Sequence, residues 1–499
     1  MRVGFLNPGY EHLGLEYLSA SLRRAGHTTQ LFLDPILFNE SGFIQRPLLA
    51  KWFSFEKHII RSIQEYQPDL LCLSVLSDNY QWACSWAETI NSVYSVPIVI
   101  GGIHPSSVPD HVIQNQWIDY LCVGEGEEAL VDLVRCLEAK QNPSRIKNIW
   151  TVQAGQVHRN EVRPLISDIN TLPYPDKALF YSQLPALKRI YSISTSRGCP
   201  FTCSYCCNNV WKSIYRARKS LLRRRSVANV IDELSDAKRR YVPKSIAFLD
   251  EVFNMEKEWL LDFFKEYRAK IDLPFSCFVF PDYLDEEIIL ELKKSGCIKV
   301  QMGVQLIDEE KRNRLLNRRS SNAKIQTAIA LCKQTGIFVA CDVIWGLPDT
   351  TEADLFQAVD FFCQTTPDHI EIFWLRYYPK TSLTEWARKN GYLTAADYQA
   401  INEGVVSTGI VRGKNKATKL EKKIFVLLYL WPLLPEKLRM YLAKKSFYRF
   451  LPAGVSILAL YILKRLVKRS RYDINTEQTM SRYVYFMFLK FKLKVKLQR

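Results

Sequence analysis

The stretch that most limits what this chain can become is Cys199-Pro-Phe-Thr-Cys203-Ser-Tyr-Cys206, three cysteines at CxxxCxxC spacing. It follows directly on Tyr191-Ser-Ile-Ser-Thr-Ser196, which reads as a strand, so whatever the loop holds is held at a strand end. Thiolates this close in sequence can wrap one face of an iron–sulfur cluster. Such clusters usually take four cysteines, and three leave one iron open to an outside ligand. The bland alternative is a structural or zinc-binding thiol set. Zinc sites pair one such unit with a second, distant pair or with histidines, and the sequence offers no second pair. Cys207 adjoins the motif but breaks its spacing and reads as a bystander.

At 499 residues the chain has room for two to four domains, and its 47% hydrophobic and 24% charged content is that of a globular protein. The 13 cysteines are scattered among apolar runs, as at Cys72, Cys122, Cys277, Cys332 and Cys341. With no charged-then-apolar leader ahead of Arg2-Val-Gly-Phe-Leu6, they read as reduced thiols of a cytoplasmic chain, not a disulfide framework. The net charge of +17 is unevenly placed. Of 68 Lys/Arg and 51 Asp/Glu, 22 and 4 fall in residues 411–499, a surplus of 18, leaving 46 against 47 in the first 410. High basicity therefore belongs to the tail alone, and the whole chain does not read as a nucleic-acid binder.

Residues 1–145 alternate short apolar strands (Val3–Leu6, Thr29–Leu33, Leu70–Val75, Ile98–Ile100, Tyr120–Val123) with helical periodicity, the pattern of a doubly wound, Rossmann-like sheet. Ligands of such sheets bind beyond the carboxyl ends of the strands. Here those ends carry Asn7-Pro-Gly9, Ser74-Val-Leu-Ser-Asp-Asn79, Gly101-Gly-Ile-His-Pro105 and Gly124-Glu-Gly-Glu127. No dinucleotide GxGxxG follows the first strand. Residues 146–188, with a short hairpin and Leu172-Pro-Tyr-Pro-Asp176, read as a connector. From 189 to 395 the alternation resumes with six strand–helix units, too few for a closed eight-stranded barrel and suited to a partial (β/α)6 one. The cysteine loop follows its first strand, at the end where βα barrels carry their chemistry.

These segments resemble the cobalamin-dependent radical SAM enzymes. Leu13-Gly-Leu-Glu-Tyr-Leu18, Ser74 to Asn79, Gly101 to Pro105 and Val123 to Glu127 are similar to the family's cobalamin-binding domain, and the cysteine loop to its radical core. The resemblance implies a 4Fe-4S cluster on Cys199, Cys203 and Cys206, S-adenosylmethionine on its open iron, and cobalamin in the first domain. It further implies that Ser74, Ser77, Asn79, Gly101, Gly102 and Gly124 line the corrin and its tail. Tyr205 would lie near the adenine, and Asp250 or Glu251 would pair with the methionine ammonium. Gln305 would contact ribose or carboxylate, and Ile344 would flank the adenine. The chain departs from the family pattern in three places. The DxHxxG loop that supplies a cobalt-ligating histidine is absent, with Tyr10 and Leu15 flanking His12 in its place. Asp349 stands for glycine after Gly346-Leu-Pro348, and Lys380 stands for glycine in Tyr378-Pro-Lys-Thr381. The implied activity is radical methylation of an unactivated carbon of a small-molecule substrate, with cyclisation or rearrangement as the alternative and a non-catalytic cobalamin- or cluster-binding sensor as the different-class rival. An external electron donor such as a flavodoxin or ferredoxin is expected, and no residue is assigned a catalytic role.

Residues 396–499 form a basic, mainly helical tail with two apolar runs, Ile424–Leu434 and Phe450–Leu463, both shorter than a membrane span and interrupted by Pro432 and Pro452. Flanking lysines and arginines fit contact with an anionic membrane surface and a lipid or other hydrophobic substrate. A helical subdomain packed on the barrel fits the same composition. Nucleic acid is the weakest reading, because no RNA-binding motif accompanies the charge.

Overall fold

The computed structural model describes residues 1–40, 44–216, 221–405, 418–445, 447–453, 455, 460 and 482–490. Its first sheet is built from β1 (Arg2–Pro8), β2 (Thr28–Asp34), β3 (Leu70–Ser74), β4 (Ile98–Gly101) and β5 (Tyr120–Cys122), all parallel. The hairpin β6 (Ile149–Gln153) and β7 (Gln156–His158) of the expected connector extends it as an antiparallel edge. The spatial order is β2-β1-β3-β4-β5-β6-β7, which reverses direction between β1 and β3. Helices α1 (Leu13–Arg24), α2 (Glu56–Tyr66), α3 (Tyr80–Val93) and α4 (Glu127–Glu138) alternate with the strands. Every residue of β1 after Arg2 is buried, as a strand covered on both faces requires, and this is why it reads as an unbroken apolar run. The reversal opens a crevice at the ends of β1 and β3, beside Asn7-Pro8-Gly9 and Ser74.

The second sheet contains β8 (Ile190–Ile193), β9 (Ser245–Phe248), β10 (Phe275–Val279), β11 (Cys297–Gln305), β12 (Phe338–Trp345) and β13 (His369–Trp374). They are parallel and lie side by side in chain order. Among the described residues β8 and β13 do not pair, so the barrel stays open at six strands. Helices α5 (Val227–Tyr241), α6 (Lys257–Lys270), α7 (Glu286–Lys294), α8 (Asn322–Gln334) and α9 (Glu352–Gln364) cover it, followed by α10 (Ser382–Lys389) and α11 (Ala395–Asn402). In β11 burial alternates from Val300 onward, leaving Gln301, Gly303 and Gln305 half-buried on one face; Asp342 and Ile344 of β12 do the same.

A buried ionic knot ties the two sheets together. Lys177 of the connector sends Nζ to Glu11 at 2.9 Å and to Glu16 of α1 at 2.7 Å, while Ser192 of β8 donates to the other Glu11 oxygen at 3.0 Å. Burial weakens the Lys177 charge, but the two carboxylates outweigh it and hold its pKa well above normal.

The tail is partly resolved into contacts. α12 (Lys419–Leu430) lays Ile424 and Leu428 into the core, and Trp431 is fully buried with its indole N–H on the Phe362 carbonyl at 3.0 Å. The first apolar run is thus packed on the barrel. The second, Phe450–Leu463, lies largely outside the described residues. α13 (Glu436–Lys444) follows, and a helix over 482–490 returns to the first sheet, where Tyr483 meets Phe38 edge-on at 5.7 Å and Phe486 meets Phe55 at 5.7 Å. Among the described residues no helix is long and apolar enough to cross a membrane.

Candidate cofactor cavity between the two sheets

The cysteine loop is shaped by its first residues. Ser196–Arg197 pairs antiparallel with Arg223–Arg224, and Gly198 then turns at φ +82°, where a Cβ would come within 2.5 Å of the Leu221 carbonyl oxygen. Only glycine meets both demands there. Beyond the turn the backbone is tied down: Ser204 N donates to Leu316 O at 3.0 Å, Asn209 Nδ2 to Cys203 O at 2.8 Å, and Lys212 Nζ to Pro200 O and Phe201 O at 2.8 and 3.0 Å. These bonds tie the loop's backbone to side chains of the following helix Asn208–Ile214 and to Leu316.

Cys199 and Cys203 are buried and Cys206 is half-buried. The Cys199 thiol is pushed up to about 12 by burial and, to a smaller degree, by Cys206, Glu251 and Cys203 around it. Cys206 is lowered to about 7, chiefly by a hydrogen bond from Cys207. The three sulfurs and Glu251 thus share one small volume. Among the described residues no three such groups converge on a single ion, and thiols that hold separate irons of one cluster need not do so.

The neighbouring acids divide their work. Asp250 is fully buried and accepts from Thr195 N at 3.0 Å, from Thr195 Oγ1 at 2.7 Å and from Ser196 Oγ, so it anchors the strand leading into the loop. Glu251 makes no ion pair among the described residues, and the one hydrogen bond to its carboxylate is from its own backbone. Its side chain stands exposed on a cavity, where partial desolvation by the walls raises its carboxyl pKa. Across the loop lies Arg318, which is buried, stacks 4.4 Å over Phe280, donates to Gly303 O at 2.7 Å, points Nη1 at Cys203 Sγ at 3.9 Å, and has no carboxylate partner among the described residues. A lone carboxylate and a lone guanidinium therefore flank the thiols. Tyr205 and Ile344 meet in one apolar cluster with Leu306, Leu316 and Leu347. Gln305 closes β11 at a register break with φ 68°.

The cavity, of about 430 Å³, spans the carboxyl ends of both sheets. Of the residues expected to hold cofactors, Ser74, Gly101, Gly102 and Gly124 line one side and Glu251 the other, with Gly198 and Trp211 between. Ser77 and Asn79 lie outside this lining. Ser77 Oγ meets His104 Nδ1 at 2.9 Å, and Asn79 accepts from Leu76 N at 2.8 Å. His12 is half-buried, and desolvation lowers its pKa to about 4. Its Nδ1 accepts from Leu15 N at 3.2 Å, capping α1, which leaves the ring proton on Nε2, 3.4 Å from Ser74 Oγ.

Sequence reasoning missed the clamp that fixes the cavity walls. Arg197, two residues before Cys199, reaches Glu127 at 2.5 Å and Glu125 at 3.3 Å; Arg223 reaches Glu125 at 2.9 Å; and Glu125 N donates to Tyr215 Oη at 2.6 Å. The Gly124-Glu-Gly-Glu127 loop is thus gripped by the cysteine-loop ribbon. The acids were visible in that motif, but their partners lie about 70 to 98 residues away. Arg318 gave no signal at all.

Residues 193–362 match the Radical SAM superfamily and residues 7–134 match the B12 binding domain. The chain belongs to the B12-binding radical SAM family. Its cofactors are a 4Fe-4S cluster, S-adenosylmethionine and cobalamin. The anaerobic magnesium-protoporphyrin IX monomethyl ester cyclase of Cereibacter sphaeroides is 24% identical to it over 76% of this chain and 62% of that protein. An uncharacterized methyltransferase of Pyrococcus horikoshii is 26% identical over 84% of this chain and 88% of that one. The hopanoid C-3 methylase of Methylococcus capsulatus is 24% identical over 78% and 70%. Among solved structures, the cobalamin-dependent radical enzyme OxsB, with aqua-cobalamin and S-adenosylmethionine bound, superposes with a TM-score of 0.65 at 17% identity, over 98% of this chain and 75% of its own. The methyltransferase TsrM from Kitasatospora setae, with tryptophan and a SAM analog bound, gives 0.62 at 18%, over 79% and 78%. These two likenesses establish the fold of this B12-binding radical SAM protein. The residues present also fit the three groups: three thiols beside an open cavity, an unpaired anion and an unpaired cation for a zwitterion, and a glycine-rich wall for a flat macrocycle.

Proposed function

We propose that this chain is a radical SAM carbon methyltransferase whose two cofactor sites face each other across the cavity between its sheets. The observation that carries the reading is that Ser74, Gly101 and Gly124 and, opposite them, Glu251 and Gly198 line one continuous space. When bound, the cluster with S-adenosylmethionine supplies an organic radical and the corrin supplies a methyl group. The chain's own residues bind and orient. Cys199, Cys203 and Cys206 ligate the cluster and leave one iron open. Glu251 accepts from the methionine ammonium, and Arg318 offsets the negative charge of the cysteine site and the methionine carboxylate. Tyr205 and Ile344 wall the adenine, and Gln305 hydrogen-bonds the ribose. Ser74, Gly101, Gly102 and Gly124 border the corrin, with Ser77 and Asn79 holding the loop behind it. His12 caps α1 through Nδ1 and turns Nε2 toward Ser74 Oγ, so it would shape the loop beside the corrin.

The substrate in this reading is a small molecule, hydrophobic or lipid-like. Its partners are a one-electron donor of the flavodoxin or ferredoxin type and an anionic membrane surface, the last supported by the charge of the tail in a cytoplasmic protein. Cyclisation is the second reading, because two relatives are named cyclases. Anaerobically reconstituted protein turning over with a reductant and its substrate separates the two: methylation yields S-adenosylhomocysteine together with 5′-deoxyadenosine, and cyclisation yields deoxyadenosine alone. Cys203→Ala is expected to lose its iron while retaining cobalamin; unchanged iron content would refute the cluster assignment.

A further inference from the structure

Residues 435–445 run through α13, and residues 447–450 form the short turn Phe447–Phe450. Their inner side is anchored. Tyr448 is buried and packs on Phe356 of α9 at 5.5 Å, Leu442 and Ala443 lean on the core, and Lys423 of α12 holds the Arg449 carbonyl. No described residue covers their outer side. Leu438, Met440, Tyr441, Phe447 and Phe450 stand 41%, 58%, 60%, 40% and 78% exposed, and α13 buries no residue fully. Lys437, Lys444, Lys445 and Arg449 are exposed beside them, with Glu436 as the one acid in the stretch.

Helical spacing places Lys437, Leu438, Tyr441, Lys444 and Lys445 on one face, so apolar and cationic side chains are interleaved, not segregated. A docking site for an acidic protein has no need of so many exposed aromatic and aliphatic side chains. A dimer core would exclude the lysines. An in-plane helix at a bilayer surface uses both: apolar side chains enter the acyl boundary while lysine stems reach to the phosphates. We infer that residues 435–450 form the face by which this protein lies on a membrane of anionic phospholipid. The inference rests on the membrane-partner part of the proposed function and is independent of the chemistry assigned to the cavity. It adds a definite surface, on the barrel flank beside α9 and α12.

The test is flotation of the full-length protein with vesicles of phosphatidylcholine alone or mixed with phosphatidylglycerol. The comparison is with the triple variant Leu438→Ser, Met440→Ser, Tyr441→Ser and the charge variant Lys437→Glu, Lys444→Glu, Lys445→Glu. All six side chains are solvent-exposed, so neither set threatens the core. The wild type is expected to float with the mixed vesicles and not with phosphatidylcholine, to be released by high salt, and to lose about tenfold or more of its binding in either variant. A wild type that floats with neither vesicle overturns both this surface and the membrane partner. Variants that float as well as the wild type overturn this surface while leaving the membrane partner standing. Variants that instead lose self-association, or lose reduction by an acidic electron donor, with flotation unchanged, show that a second copy or that donor occupies the face and overturn the inference.

Discussion

Replacing Lys177 by Met removes the cation from a knot in which Glu16 is fully buried and Glu11 nearly so. At contacts of 2.7 and 2.9 Å each pair attracts by about 6 kcal/mol for an effective dielectric near 20. Much of that is offset by the lost hydration of all three groups and by repulsion between the two acids. Mutations that strip one partner from a buried pair cost about 3–5 kcal/mol, and about 4 kcal/mol is expected here because two carboxylates are left facing each other. The pH dependence has a definite sign. Burial, opposed by Lys177, already raises Glu16 well above its usual range. A carboxyl raised in the folded state favours folding below its unfolded pKa and loses that contribution as pH climbs through the folded value. Without Lys177 the loss is larger, so the deficit of Lys177→Met is greatest at neutral pH and shrinks on acidification. Thermal melts of the holoenzyme should show the first transition falling by about 8–16 °C, with Glu16→Gln in the same chain restoring roughly half. A deficit below about 1 kcal/mol at neutral pH, or one of equal size in mild acid, would refute the reasoning.

Three further outcomes follow from single residues. Gly198→Ala should cost about 2–4 kcal/mol through left-handed strain and the Leu221 clash, and should lower iron bound per chain; full iron loading with an unchanged melt argues against the turn as described. Asp342 is pushed up to about 7 by burial, against the donor Gln301 Nε2 at 2.8 Å, so its contribution is present below the unfolded value of about 4 and lost as pH rises through about 7. Asp342→Asn should therefore stabilise by about 1–3 kcal/mol at mildly alkaline pH and by little in acid, read from urea midpoints; an equal shift at both would count against it. Lys380→Gly, at an exposed position with φ 60°, should be neutral to stabilising by about 1 kcal/mol, because glycine bears no penalty in that region; a clear loss in the same urea titration would contradict this.

The last of these bears on what a sequence can disclose. Asp349 and Lys380 stand where the resembled family has glycine, and both adopt positive φ, 60° in each case. The backbone path is kept and only the side chain departs, so the substitutions loosen no part of the architecture. The strands were legible because a strand buried on both faces is apolar along its centre, as Val3–Leu6 of β1 is, and one lining a half-open barrel alternates, as Cys341–Trp345 of β12 does. The cysteine loop was legible because its three cysteines are neighbours in sequence.

What was not legible depends on contacts between distant segments. Asp250 and Glu251 are adjacent and chemically alike. Which one faces the cavity is set by the pleat at the end of β9 and by the hydroxyls of Thr195 and Ser196, which claim Asp250 and leave Glu251 free to meet a cation. The same holds for the acids of Gly124-Glu-Gly-Glu127. Their spacing marks a ligand loop, but Arg197 and Arg223 turn the carboxylates into a brace between the sheets. The run Ile424–Leu434 has the composition of either core or membrane contact, and the tie from the Trp431 indole to Phe362 decides for core. The face a few residues later, with the same basic and aromatic composition, is left exposed. Composition sets what a segment can bury, and only its anchoring side decides which of its faces is left over to bind.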